Sequence, residues 1–185
     1  MLTKTLGVTP IDQRAYKLTD GYEAACALAA LHYQGILLNT TLDQFITTMP
    51  IAADHDPHHG FSGNLFAETP DACATILPKP LVEWLRRYTD DVVNLSGKTP
   101  LQLQAALVKA TPIIIWAPLK FNWPEFRRYD WGIGIVNFHT VLLDGYAPEE
   151  GYHIVDPSNG TTYWISSEKF ENSYNLRKYA VGIQA

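Results

Sequence analysis

The apolar pattern of this 185-residue chain changes period near Thr111, and this change limits the folds that it can adopt. Before that point, apolar residues at helical spacing predict helices over residues 20–32, 41–49, 79–88 and 99–110. After it, β-branched and aromatic runs between turn residues predict strands over residues 113–116, 138–143, 152–155, 161–165 and 179–183. Helices followed by closely spaced strands predict an α+β fold, with N-terminal helices packed on a C-terminal antiparallel sheet.

The first predicted helix is rich in alanine, with five alanines among residues 23–31. Alanine favours helix, and its small side chain allows close packing, so this helix is predicted to be central. Asp20 is predicted to cap its start with Glu23 as the reciprocal partner, and Gly35 to close it.

Composition limits the class of protein. The length predicts a single domain over residues 1–185, and an aromatic content of 12% excludes a disordered chain. A net charge of −5 with scattered cations argues against a nucleic-acid partner. Every apolar run is far shorter than the roughly 20 residues that cross a bilayer, so no membrane span is predicted.

The compartment is predicted from the N-terminus and the cysteines. Residues 1–10 lack a basic stretch followed by an apolar core, so no signal peptide is evident. Cys26 and Cys73 are too few for a disulfide framework, which favours a cytoplasmic protein with two reduced thiols. An extracytoplasmic protein whose leader had been removed would have the same sequence, so that alternative stays open.

Four positions follow one another in an order that suggests a catalytic site: Gln13, Tyr22 at the start of the alanine-rich helix, His139 on a predicted strand, and Asp156 before a turn. This order resembles the C39-like cysteine peptidases, a branch of the papain-like superfamily. Members carry a Gln, a Cys at the N-terminus of a central helix, a His on a strand, and an Asp or Asn after the next strand. The resemblance implies a papain-like fold in which a thiolate attacks, a carboxylate orients the imidazole, and the Gln holds the oxyanion.

Further segments extend the resemblance to the family 2 branch of the C39-like peptidases. Residues 56–61 resemble its Asp-Pro-x-x-Gly-Phe stretch, and residues 112–116 resemble its strand that ends in tryptophan. Residues 139–146 and 156–160 resemble its His and Asp segments. The resemblance therefore runs from about Ile11 almost to the C-terminus.

One departure concerns the nucleophile, because Tyr22 stands where the family has cysteine. Gly35 lies 13 residues after Tyr22 and Cys26 lies four residues after it, which is the family's spacing for a catalytic and a second, non-catalytic cysteine. A phenol has a pKa of about 10 against about 8.5 for a thiol, and it attacks carbonyls less readily. The resemblance therefore implies a degenerate peptidase with a remnant site.

Two classes of function stay open. The leading one is a non-catalytic module that binds a peptide or protein; the C39-like domains of hemolysin-type toxin exporters also lack the cysteine and bind the exported polypeptide. The alternative is an active hydrolase or peptidase that uses Cys26 with His139, which requires an exposed thiol about 3–4 Å from the imidazole. A cleft with no present ligand is a third possibility. No cofactor is expected.

Two loops are predicted to flank the cleft. Residues 54–59 combine carboxylates and imidazoles, which are zinc ligands, but Pro57 breaks any helix that could align them. Because neighbours in an extended loop rarely converge on one ion, no metal site is predicted there. Residues 120–130, just before the strand that carries His139, are predicted to cover the cleft.

Overall fold

A computed structural model describes residues 4–185 of the chain. Its helices are α1 (Tyr22–Tyr33), α2 (Leu42–Ile46), α3 (Pro78–Leu85), α4 (Pro100–Val108) and α5 (Ser167–Tyr174), with 3-10 helices at Gln13–Tyr16 and Leu119–Phe121. Its strands are β1 (Lys4–Thr5), β2 (Val92–Asn94), β3 (Ile113–Pro118), β4 (Phe126–Tyr129), β5 (Gly132–Ile135), β6 (Phe138–Ala147), β7 (Gly151–Asp156), β8 (Thr161–Ile165) and β9 (Ala180–Ile183).

The strands form one antiparallel sheet and one separate hairpin. The sheet has the order β2-β9-β3-β6-β7-β8, and β1 pairs with the far end of β6. The ten-residue β6 is its longest strand and pairs with β3 from Ile113 opposite Leu143 to Pro118 opposite Phe138. The hairpin consists of β4 and β5. The predicted α+β fold is confirmed.

The sheet is buried on both faces. Along β3, Ile114 and Trp116 belong to the apolar cluster around α1, whereas Ile113 and Ile115 belong to the cluster formed with α4 and α5. This alternation follows from the two-residue period of a strand. Nine of the twelve residues of α1 are buried, so its alanines do allow the close packing predicted for a central helix.

The C-terminal end of α1 agrees with the prediction, and its N-terminal end does not. Gly35 follows the helix with φ 79°, a conformation that suits glycine, and the chain turns there as predicted. At the start, the N-cap residue is Gly21 and no side chain caps the helix. The predicted capping by Asp20 and Glu23 is wrong, because the Glu23 side chain is buried among other elements instead.

Two elements differ from those predicted. The strand predicted over residues 138–143 continues to Ala147 through a β-bulge at Asp144, which accepts a hydrogen bond from the backbone N–H of Val8 (3.1 Å) and pairs with His153. Helix α5 was not predicted, since its apolar face consists mainly of Phe170 and Tyr174. Within the described residues, no helix has the length and apolar character needed to cross a membrane. The compartment stays a prediction.

Candidate functional site

The N-terminus of α1 points its first side chain at the strand that carries His139. The rings of Tyr22 and His139 meet edge to face, with centroids 4.5 Å apart and an interplanar angle of 83°. Burial raises the pKa of Tyr22, and the nearby charge of Asp20 raises it further, while a side-chain hydrogen bond with Gln13 opposes both. The side chain beside the imidazole is therefore a neutral phenol.

His139 is fixed by a carboxylate at the end of β7. Its Nε2 lies 3.0 Å from Oδ1 of Asp156, which also accepts a hydrogen bond from the backbone N–H of Ser158 (2.9 Å). The Tyr163 hydroxyl donates to Oδ2 of Asp156 at 3.4 Å. An ionised carboxylate only accepts, so Nε2 carries a proton. The other ring nitrogen, Nδ1, is buried and has no hydrogen-bond partner within residues 4–185.

The Asp156 carboxyl is ionised over most of the pH range. Burial raises its pKa, but the hydrogen bond and charge of His139 and the hydrogen bond from Ser158 outweigh burial and lower the pKa to about 2. A carboxyl whose pKa is lower in the folded than in the unfolded chain stabilises the fold above its unfolded pKa, and that stabilisation disappears as the pH falls through the folded pKa.

We expect the free energy of unfolding of the wild type, relative to that of Asp156→Asn, to fall by about 2 kcal/mol as the pH drops from about 4 to about 2. One pKa unit corresponds to about 1.4 kcal/mol. Urea unfolding of both proteins between pH 2 and pH 6 measures this difference. Asp43→Asn removes an exposed carboxyl of α2 and serves as the control. A difference between the wild type and Asp156→Asn that does not vary with pH would contradict the expectation.

Gln13 lies beside the turn that carries Asp156. Its backbone N–H donates to the carbonyl oxygen of Pro157 (3.0 Å), and its Nε2 donates to the carbonyl oxygen of Thr19 (3.1 Å). The side chain is buried, and its Oε1 has no hydrogen-bond partner within the described part of the chain. The four side chains singled out in the sequence therefore form one continuous cluster; the role of each stays a prediction.

Neither cysteine lies in this cluster. Cys26 is 2% exposed, and its Sγ donates to the carbonyl oxygen of Thr140 at 3.7 Å rather than to His139. Burial, followed by the charges of Asp156 and Glu23, raises the pKa of the Cys26 thiol well above its ordinary value. Cys73 is also buried, and its pKa is raised to about 12.

A buried polar network under the site was missed in the sequence. Glu23, 1% exposed, accepts hydrogen bonds from the hydroxyls of Thr75 and Thr140, the latter at 3.1 Å. Trp116 Nε1 donates to the Thr75 hydroxyl (3.2 Å). The network joins α1, β3, β6 and the long loop between α2 and α3, residues 47–77. An acidic residue at the head of an apolar helix was the available signal, and it was interpreted as a cap.

An open cleft of about 820 Å³ lies beside the cluster. Its lining includes Tyr22 and Asp156 from the cluster, Tyr163 from β8, and the cations Arg14, Lys120 and Lys169. Of the segment predicted to cover the cleft, only its first two residues, 120 and 121, line it. The rest leads into the β4–β5 hairpin, which is joined to the long loop by a hydrogen bond from Arg127 to the carbonyl oxygen of Pro70 (2.9 Å).

The acidic and histidine-rich loop, residues 54–59, folds more tightly than expected. Ligand atoms of Asp54, Asp56 and His59 lie within 4.8 Å of one another, so the expectation that these neighbours would not converge is wrong. Nδ1 of His59 lies 2.7 Å from Oδ2 of Asp54, and Nδ1 of His58 lies 2.7 Å from Oδ1 of Asp56. Asp54 borders a cavity other than the cleft, and the imidazoles of His58 and His59 already pair with carboxylates.

Comparisons with known proteins agree with the geometry. The model of the Peptidase_C39 like family matches residues 5–181. A crystal structure described as a C39-like peptidase from Bacillus anthracis is 21% identical and superposes with a TM-score of 0.86 over 100% of this chain and 98% of that chain, which shows a shared fold. A search of curated proteins finds no match. Because the family model spans nearly all of the sequence, this chain belongs to the C39-like peptidase family.

Proposed function

We propose that this chain is a catalytically inactive C39-like peptidase homologue that binds a polypeptide segment in the cleft beside Tyr22. The observation that carries the proposal is the phenol ring packed 4.5 Å from the ring of His139, where the family's catalytic chemistry needs a thiol. A phenol with a raised pKa is a poor nucleophile at neutral pH.

The state of Cys26 also supports this proposal over a Cys26-dependent hydrolase. That alternative needs an accessible thiolate hydrogen-bonded to His139. The thiol is buried, donates a hydrogen bond to a backbone carbonyl oxygen, and has a pKa raised well above its ordinary value. Since the thiolate and not the thiol attacks, each of these three properties opposes catalysis by Cys26.

Two observations support binding. The cleft is about 820 Å³, large enough for several residues of an extended chain. Tyr22, Ser158 and Asn159 line the cleft, and their polar side-chain groups could form hydrogen bonds with the backbone of a bound polypeptide. A binding module would keep the cleft and these polar groups although it has no nucleophile.

We expect the purified chain to hydrolyse neither peptides nor acyl esters and to bind an unfolded polypeptide. The probe is reduced, carboxymethylated α-lactalbumin carrying a fluorophore, and binding is measured by anisotropy. Thr161 lines the cleft and Thr162 does not, although both are exposed neighbours on β8. Because successive strand residues point to opposite faces, Thr161→Phe should weaken binding at least about fivefold and Thr162→Phe should not.

Two results would overturn the proposal. The first is turnover of a peptide or ester that His139→Ala abolishes, because it would mean that the imidazole still serves catalysis. The second is polypeptide binding that Thr161→Phe and Thr162→Phe leave equally strong, because the ligand would then lie outside the cleft.

A further inference from the structure

The charge of the cleft is opposite to that of the chain. The whole sequence contains 14 Lys and Arg against 19 Asp and Glu, a net charge of −5. The cleft lining contains Arg14, Lys120 and Lys169 against one acid, Asp156, whose carboxylate is hydrogen-bonded to His139. Clefts lined by one sign of charge concentrate ligands of the other sign.

The three cations come from separate parts of the fold and form no ion pair within residues 4–185. Arg14 lies on the 3-10 helix Gln13–Tyr16, Lys120 on the 3-10 helix Leu119–Phe121, and Lys169 on α5. All three are exposed, and none lies within 4.0 Å of a carboxylate among the described residues. Their charges are therefore available to a ligand.

The backbone around Lys120 is strained where it lines the cleft. Lys120 and Phe121 have φ values of 56° and 55°, in the left-handed region that residues with a Cβ atom disfavour. A hydrogen bond from Leu119 N–H to the carbonyl oxygen of Asn137 (2.8 Å) and burial of the Phe121 side chain hold this conformation. Strained backbone of this kind is concentrated at functional segments.

A smaller apolar cavity continues the cleft. It measures about 260 Å³ and shares Phe121 and Lys169 with the cleft lining. Trp123 and Leu176 also line it, and their exposed fractions are 90% and 39%. An exposed tryptophan beside a concave surface is typical of sites that take an apolar side chain.

We propose that the ligand is an extended polypeptide segment with several Asp or Glu side chains and one apolar side chain near them. The carboxylates would lie among Arg14, Lys120 and Lys169. The apolar side chain would lie against Trp123 in the smaller cavity, which shares Lys169 with the lining of the cleft. Electrostatic complementarity of this kind selects among ligands of equal size. The inference rests on the proposed function, because it names the chemistry of the segment bound in that cleft.

The test uses three twelve-residue peptides with blocked ends. Their sequences are identical except at three positions, which are all Glu in the first peptide, all Gln in the second and all Lys in the third. Each also contains one Leu. By calorimetry at 50 mM salt, we expect the Glu peptide to bind at least about tenfold more tightly than the Gln peptide, and the Lys peptide to bind least. The difference should shrink at 500 mM salt, where exposed charges are screened. Exchanging Leu for Ser in the Glu peptide should weaken its binding about fivefold.

Variants of the chain assign the effect to named residues. Lys120→Gln and Lys169→Gln should each reduce the ratio of the Glu peptide's affinity to the Gln peptide's affinity about threefold, as for exposed ion pairs. Lys109→Gln is the control, since Lys109 follows α4 at the opposite end of β3 from the site. Trp123→Ala should weaken the binding of every Leu-containing peptide. Leu101→Ala, which removes an exposed leucine of α4, should not weaken it.

The outcomes separate this inference from the proposed function. Equal affinity for the three peptides, with binding still lost in Thr161→Phe, would overturn the inference and leave the proposed function intact. Tighter binding of the Lys peptide would also overturn the inference alone. Binding of none of the peptides and of no unfolded polypeptide would overturn both.

Discussion

Tyr22→Cys is expected to react with iodoacetamide at pH 7 at least about 100-fold faster than either cysteine of the wild type, because a thiol there would meet two features that lower its pKa. It would occupy the first residue of α1, where the helix dipole stabilises an anion. It would also face His139, which Asp156 already orients. Thiols in such places have pKa values of roughly 3.5–7.5, whereas burial raises the pKa of Cys26.

The matched control for this experiment is Tyr33→Cys. It exchanges the same residue type on the same helix at a partly buried position, but at the C-terminus, where the dipole disfavours a thiolate. Combining Tyr22→Cys with His139→Ala should remove most of the gain, since the imidazole would be gone. Mass spectrometry of the labelled protein over a pH series gives each rate and the apparent thiol pKa.

Equal labelling rates for Tyr22→Cys and Tyr33→Cys would contradict this expectation. They would mean that neither the helix terminus nor His139 acts on the side chain at position 22, and the assignment of Tyr22 to the nucleophile position would fail. Labelling requires only an activated thiolate, whereas hydrolysis also requires a substrate held in register. Reactivity with iodoacetamide is therefore the more direct probe of the proposed remnant site.

Much of the site was predictable because its residues follow the family's order along the chain even though Tyr22 stands at the proposed nucleophile position. The start of α1 was predicted within two residues, which places Tyr22 at the helix terminus. The strands that carry His139 and Asp156 were predicted from their β-branched and aromatic residues, and both exist. Short-range patterns sufficed here, because each site residue lies at the end of a regular element.

The rest depended on contacts between residues distant in the sequence. Glu23 looks like a helix cap locally, but its partners Thr75 and Thr140 lie 52 and 117 residues away. Asp144-Gly145 has the composition of a turn, yet pairing with β7 draws it into a bulge. Helix α5 has few apolar residues and is stabilised by tertiary packing rather than by propensity.

Glu23→Ala is expected to destabilise the fold by about 3 kcal/mol, because it leaves the hydroxyls of Thr75 and Thr140 without their acceptor and opens a cavity beneath the site. Glu23→Gln keeps a carbonyl oxygen that can accept both hydrogen bonds. Its effect should therefore be small at acidic pH and should become stabilising relative to the wild type as the pH rises, since the amide cannot ionise.

The direction of this pH dependence follows from the desolvated carboxyl. Burial raises the pKa of Glu23 above its ordinary value of 4.5, although hydrogen bonds from Thr75 and Thr140 oppose the shift. The folded chain then binds this proton more tightly than the unfolded chain does. The stabilisation is complete below pH 4.5 and is lost as the pH rises through the folded pKa. As the pH rises through this range, the free energy of unfolding of Glu23→Gln should therefore increase relative to that of the wild type.

Urea unfolding followed by tryptophan fluorescence between pH 4 and pH 8 measures the difference between Glu23→Gln and the wild type. Glu149→Gln, which removes an exposed carboxyl in the turn between β6 and β7, is the matched control and should show no trend. A flat difference for Glu23→Gln would mean that the carboxyl ionises as easily in the core as in water. Since Thr140 follows His139 on β6, a trend would show that a protonated carboxyl supports the strand that carries His139 of the candidate site.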